Sequence, residues 1–172
     1  MAQSTTARTL VLLRHAKTEA QGSGPDFDRR LIARGERDAE AAGAWLAGRQ
    51  LHPDLVLCSP AVRARQTWSG VATALSRSAA PEVRYPDELY DGGRMEVFDL
   101  LQAVPDTART VLIVGHNPTM SDVSTLLVPD AEFGGREIEL KTAGLAVHRS
   151  DGPWSATERG SMPLVEIYTA RG

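Results

Sequence analysis

Three short apolar runs punctuate the chain: Thr9 to Leu13, Asp54 to Cys58 and Thr110 to Val114. Each stops abruptly, at Arg14-His15, at Ser59-Pro60 and at Gly115-His116-Asn117-Pro118. They are too brief for helices and read as buried strands. The stretches between them carry the other period. Ala39, Ala42, Trp45 and Leu46 fall on one face of a helix expected from Ala33 to Gly48. Trp68, Val71, Ala72 and Leu75 repeat helical spacing, as do Val97, Leu100, Leu101 and Val104. Met120, Val123 and Leu127 mark a further helix, with Pro118 suited to its first turn. Leu145 to His148 and Leu164 to Tyr168 read as later strands, and the Gly-, Pro- and Asp-rich Ala20 to Arg30 as a loop. Strands alternating with helices imply a layered α/β fold with a mostly parallel central sheet. The 172 residues fit one domain, 1–172, in which the polar residues 1–8 are expected to form a flexible tail.

Ligands of such folds sit outside the C-terminal ends of the strands. The three strand ends deliver Arg14-His15, Ser59 to Arg63 and His116-Asn117 to one edge, from segments far apart in sequence. Composition narrows what that edge can bind. The net charge of −3 lacks the basic excess of a nucleic-acid or anionic-membrane binder. No segment has the apolar length of a membrane span, and the polar start has no signal-peptide core, so a cytoplasmic location is expected. Cys58 is the single cysteine, which excludes an intrachain disulfide and a Cys-based zinc site. Lys17 and Lys141 are the only lysines, so arginine is used everywhere and position within a motif must identify an anion ligand.

Two histidines and two arginines at one rim suit a transferring phosphoryl group. An arginine fork matches phosphate oxygens. A neutral imidazole can attack phosphorus and divide a slow hydrolysis into formation and breakdown of a phosphohistidine. A second histidine, if cationic, adds a donor where transition-state charge lies. These donors work without a metal ion, so neither a metal nor a cofactor is expected.

Leu13-Arg14-His15-Ala16-Lys17-Thr18 resembles the Arg-His-Gly signature of the histidine phosphatase superfamily, which includes the cofactor-dependent phosphoglycerate mutases. Ser59-Pro60-Ala61-Val62-Arg63-Ala64-Arg65-Gln66-Thr67 resembles its second motif and Val114-Gly115-His116-Asn117 its third, in family order. The Arg-His-Ala-Lys variant, the short length, and Asp26-Phe27-Asp28-Arg29 with Leu31 to Gly35 are similar to the SixA-type phosphohistidine phosphatases. The resemblance implies a phosphoglycerate mutase-like three-layer α/β/α sandwich. It also implies His15 as nucleophile, with Arg14, Arg63 and His116 completing the phosphate pocket.

The departures are specific. Ala16 replaces the usual glycine, Lys17 a common Glu or Gln, and Ile32 a frequent helix-capping Thr. Many relatives place an acid for the leaving group in a Leu-x-Glu segment. Here that stretch reads Asp87-Glu88-Leu89-Tyr90-Asp91-Gly92, which offers Asp91 or the nearby Glu88. A phosphohistidine needs such an acid less, because imidazole leaves more readily than an alkoxide. Asn117 is expected to cap the following helix, to touch phosphate through its backbone, or both. Lys17 either steers acidic substrates or is simply solvated. Ser59 reads as a turn or cap residue, Cys58 as core, Arg65 as solvent-facing or structural, and His52 and His148 as surface residues.

Three functions follow as expectations. The first is a phosphatase acting on a phosphohistidine-bearing protein, whose protruding side chain an uncapped pocket would admit. The second is a phosphomonoesterase for a small phosphorylated metabolite, with Asp91 or Glu88 as acid. The third is a phosphoprotein-binding module without turnover, disfavoured because His15, Arg14, Arg63 and His116 are all present.

Overall fold

The computed structural model describes residues 7–22, 24–75 and 80–172. The chain runs β1 (Arg8–Arg14), α1 (Ala33–Gly48), β2 (Leu55–Cys58), α2 (Val62–Leu75), β3 (Glu82–Arg84), α3 (Glu88–Asp91) and α4 (Arg94–Gln102). It continues through β4 (Thr110–Gly115), α5 (Thr119–Leu127), α6 (Asp130–Phe133), β5 (Gly144–Ser150) and β6 (Leu164–Thr169). The strands form one six-stranded sheet in the order β3-β2-β4-β1-β5-β6. Pairing is parallel from β3 through β2 and β4 to β1, and antiparallel between β1 and β5 and between β5 and β6.

Alternation along each strand separates two cores. Leu10 and Leu12 of β1 face α4 and α5 and pack with Val97, Leu101, Val123 and Leu127. Val11 and Leu13 face the other way, toward Ala39, Ala42 and Leu46 of α1 and Val71 of α2. The result is the expected three-layer α/β/α sandwich with a mostly parallel sheet. The α1–α2 contact is unusually close because both helices carry glycine at the crossing. A Cβ on Gly43 would stand 2.4 Å from the Val71 carbonyl oxygen, and one on Gly70 would stand 2.7 Å from Ala39 Cβ.

The periodic helices and long strands lie where their spacing placed them, α1 residue for residue. The short β3, α3 and α6 carry too few residues to show a period and were not anticipated. Two expectations are corrected. Residues 1–6 of the proposed tail lie outside the described residues, but Arg8 opens β1 and is buried. His148 is not a surface residue: it is fully buried on β5, with Nε2 2.8 Å from Ser124 Oγ and Nδ1 3.1 Å from the Met162 carbonyl. Its alternation away from Leu145 and Val147 is real, but β5 lies inside the sheet and α5 covers its second face. Among the described residues no helix is long and apolar enough to cross a membrane.

Candidate active site

Register brings the three motif segments level. Arg14 of β1 pairs with Gly115 of β4, and Cys58 of β2 pairs with Val114. The ladder continues one residue beyond the strands, since the His15 amide donates to the Gly115 carbonyl at 3.0 Å and the Ser59 amide to the Val114 carbonyl at 2.9 Å. His15, Ser59 and His116 therefore leave the sheet side by side. The His15 and His116 rings lie 5.2 Å apart, centre to centre.

His15 is buried, and its Nδ1 lies 2.8 Å from the carbonyl oxygen of Ala16. A carbonyl only accepts, so Nδ1 carries the proton and Nε2 keeps its lone pair. Burial pushes the His15 pKa down to about 3, and the cationic neighbours Arg63 and Arg14 work in the same direction against the Ala16 bond. The ring is therefore neutral and nucleophilic at neutral pH. Thr67, fully buried on α2, accepts from the Ala16 amide at 3.0 Å and donates to the Arg63 carbonyl at 2.7 Å. One hydroxyl thus ties Ala16, the residue whose carbonyl orients His15, to the helix that carries Arg63.

His116 is neutral as well, its pKa lowered to about 4 by burial and by the charge of Arg63. Its Nε2 lies 2.7 Å from Ser59 Oγ, which also accepts from the Ala61 amide at 3.3 Å. With the Ser59 hydroxyl proton directed to Nε2, the His116 proton sits on Nδ1, a buried atom without a protein partner. In that tautomer His116 offers a donor even as a neutral ring. Ser59 lies in the turn that leads into α2, as expected, and its bond to His116 is a second role that this position gave no means of foreseeing.

Arg14 donates through Nη1 to the Leu140 carbonyl at 3.0 Å. Burial lowers its pKa and Glu139 opposes the shift. The same carbonyl receives Asn117 Nδ2 at 2.8 Å, while Asn117 Oδ1 accepts from Ser121 Oγ at 2.8 Å. The Asn117 side chain is thus committed to α5 and the loop that holds Arg14. Arg63 is buried in the first turn of α2 and donates through Nη1 to the Asp26 carbonyl at 2.8 Å and through Nη2 to Asp26 Oδ2 at 3.0 Å. The Nε atoms of Arg14 and Arg63 are buried without a protein partner, as is His116 Nδ1. Two of these N–H groups, those of Arg14 and Arg63, belong to residues whose charges act on the His15 ring.

Asp26 and Tyr90 were not singled out by sequence. Asp26 Oδ1 accepts from Arg29 Nε at 2.9 Å, and Oδ2 also accepts from the Tyr90 hydroxyl at 3.1 Å. Burial raises the Asp26 pKa, but the bonds from Tyr90 and Arg29 and the charge of Arg63 outweigh it and hold the carboxyl below its ordinary value. The Tyr90 ring meets His116 edge-on at 5.8 Å and Phe27 at 5.1 Å. The Asp-Phe-Asp-Arg string was visible as a motif; its contact with Arg63 was not.

Glu88 and Asp91 flank this site on α3 with exposed side chains that hydrogen-bond to none of the described residues. Lys17 is exposed just beyond Ala16. Cys58 is buried with its thiol pushed up to about 12 by burial, consistent with core. Arg65 is exposed, 5.6 Å over the Tyr85 ring. His52 is exposed. Among the described residues no cluster of His, Cys, Asp and Glu could hold a metal ion.

Comparison with known proteins agrees with this geometry. Residues 10–96 match the histidine phosphatase superfamily (branch 1). An uncharacterised protein of Mycobacterium tuberculosis is 37% identical over 164 residues, which cover 92% of this chain and 100% of that one. The structure of a candidate phosphohistidine phosphatase SixA from Nakamurella multipartitia is 35% identical, with TM-score 0.81 over 95% of this chain and 96% of that one. A second candidate SixA, from Agrobacterium tumefaciens, is 30% identical, with TM-score 0.73 over 94% and 97% of the two chains. A sandwich that gathers the Arg14-His15, Ser59-to-Arg63 and His116 segments at one edge, in a chain matched over these lengths, places the protein in the histidine phosphatase superfamily (branch 1), and it is a phosphatase.

Proposed function

We propose that this protein is a protein phosphohistidine phosphatase that works without a metal ion, through a phosphorylated His15. The observation that carries the reading is the neutral His15, with its lone pair on Nε2, beside three buried and unpartnered donors, Arg14 Nε, Arg63 Nε and His116 Nδ1. A phosphoryl group brings acceptor oxygens to donors of this kind, and the two guanidinium charges stabilise those oxygens as bonding changes. His15 Nε2 attacks phosphorus, and the bond to the leaving atom breaks with its electron pair. Nδ1–H stays on the Ala16 carbonyl and holds the ring in line. Water then attacks the phosphoryl group on His15; the P–Nε2 bond breaks, its pair returns to Nε2, and the water protons leave with phosphate.

The leaving group separates this reading from a metabolite phosphomonoesterase. An alkoxide needs an acid in the protein. Glu88 and Asp91, the two residues sequence offered for that task, stand exposed on α3 with no side-chain hydrogen bond to the described residues. An imidazole leaving group supports a site built this way, and the likeness to the two SixA structures supports the same substrate class. The test is to offer the purified protein phosphohistidine-bearing proteins and a panel of phosphorylated metabolites, and to trap acid-labile phosphate on His15. The reading expects phosphohistidine proteins to rank highest in kcat/KM and His15→Ala to be inert. Efficient turnover of a metabolite, with none of phosphohistidine, overturns it.

A further inference from the structure

Resting on that reading, we propose that Asp26, with Tyr90 and Phe27 beside it, forms the subsite for the leaving imidazole and selects a phosphoimidazolium over a phosphate ester. Three observations converge. The Asp26 carboxylate adjoins the phosphate cradle, because Arg63 Nη2 donates to it at 3.0 Å. It retains capacity for one more partner. A carboxylate offers about four acceptor positions; Arg29 takes one on Oδ1, and Arg63 and Tyr90 take those on Oδ2. The side chain is 35% exposed, so a ligand can reach it. Finally, aromatic rings lie beside it: the Tyr90 ring, whose hydroxyl donates to Asp26, meets Phe27 edge-to-face at 5.1 Å and His116 at 5.8 Å. An imidazole ring joins such a cluster in the edge-to-face or offset arrangement that aromatic pairs favour.

The chemistry gives this subsite a task. In a phosphohistidine, one ring nitrogen carries phosphorus and the other can carry a proton. An N–H donating to Asp26 keeps the ring in its cationic form. When His15 Nε2 bonds to phosphorus, the P–N bond breaks and its electron pair neutralises that cation. Neutral imidazole departs with its proton still in place. No acid from the protein is consumed, which accounts for a site whose flanking carboxylates Glu88 and Asp91 make no hydrogen bond to the described residues. A phosphate ester has no N–H to present to Asp26 and gains nothing from it.

The test compares two small substrates on the full chain: phosphoimidazole, corrected for its uncatalysed hydrolysis, and p-nitrophenyl phosphate, whose leaving group needs no proton. Asp26→Asn loosens Arg63 and slows both, so the ratio of the two kcat/KM values is the readout. The expected result is a fall in that ratio of about tenfold or more, the size of a lost hydrogen bond to a charged group. A ratio that moves by less than about threefold overturns the subsite and leaves Asp26 as an anchor for Arg63. If Asp26→Asn does not fold, Tyr90→Leu applies the same criterion with the Asp26–Arg63 pair intact. Wild-type protein that never turns over phosphoimidazole or a phosphohistidine protein, while cleaving p-nitrophenyl phosphate, instead overturns the parent function and the subsite with it.

Discussion

The Thr67 hydroxyl receives the Ala16 amide at 3.0 Å, and the carbonyl of the same Ala16 residue receives His15 Nδ1 at 2.8 Å. Two bonds therefore run from α2 through one residue to His15, the proposed nucleophile. The third, from Thr67 Oγ1 to the Arg63 carbonyl at 2.7 Å, adds Arg63, the proposed phosphate ligand of that helix, to the same fixture. Productive geometry in such a site tolerates little displacement, and groups that position a nucleophile act mainly on kcat.

Thr67→Val keeps the shape and removes the hydroxyl. It is expected to lower kcat by about tenfold with a smaller change in KM, while Thr67→Ser restores most of the loss. The buried Ala16 amide loses its partner, so unfolding in urea should also show a cost of about 1–3 kcal/mol. Steady-state kinetics on the three proteins checks the split between kcat and KM.

Arg63 presents a fork held at two nitrogens by Asp26, a geometry that a lysine ammonium does not reproduce. Arg63→Lys and Arg63→Ala are both expected to reduce kcat/KM by about 10²–10³, the range for a lost transition-state donor. Added phosphate or tungstate should raise the melting temperature of the wild type by binding the folded state, and should do so far less in Arg63→Ala. Calorimetric melting with and without the anion is the measurement.

Glu88→Gln and Asp91→Asn each remove an exposed carboxylate from α3. Hydrolysis of phosphoimidazole is expected to stay within about threefold of wild type in both, and in the double variant. A loss near the ~10²–10⁴ range of general acid catalysis would instead make one of them the proton donor.

His148 is fully buried and its pKa is lowered to about 4, by burial first, against the bond to Met162. Below the unfolded histidine pKa of about 6.5, the unfolded chain takes up a proton that the folded ring refuses. Its contribution to stability is complete above that value and is lost as pH falls toward about 4. The loss approaches ~1.4 kcal/mol per pH unit across that window. His148→Gln, which does not titrate, should flatten the fall of urea-unfolding stability between pH 6.5 and pH 4 by about that slope. Phosphate-free buffer keeps anion binding out of the comparison.

The neutrality of His15 has a separate signature under the proposed mechanism. With its pKa at about 3 and that of His116 at about 4, neither ring titrates near neutral pH. The kcat/KM profile for p-nitrophenyl phosphate should show no histidine limb between about pH 5 and 8 beyond the ionisation of the substrate itself. The protonated, inactive His15 should appear only in the acid range below that window.

Local pattern made much of this protein legible. The apolar runs of β1, β2 and β4 and the helical spacing of α1, α2 and α5 each lie within a few turns of chain. Burial of one face imposes a period that a single segment displays by itself. Because each of those strands ends at a motif, the convergence of Arg14, His15, Arg63 and His116 could be read from order alone. Tertiary structure decided what no period records. It placed β5 inside the sheet under α5, which buried His148. It seated Asp26 on Arg63 and Tyr90 on Asp26, contacts spanning 37 and 64 residues of chain. It chose the ring nitrogen of His15 that keeps its lone pair, through the Ala16 carbonyl that Thr67's neighbouring bond helps hold in place. Such contacts join side chains whose own segments are polar and irregular, so nothing in local sequence marks the pairing. They exist only once packing of the sheet and helices has fixed where each loop can go.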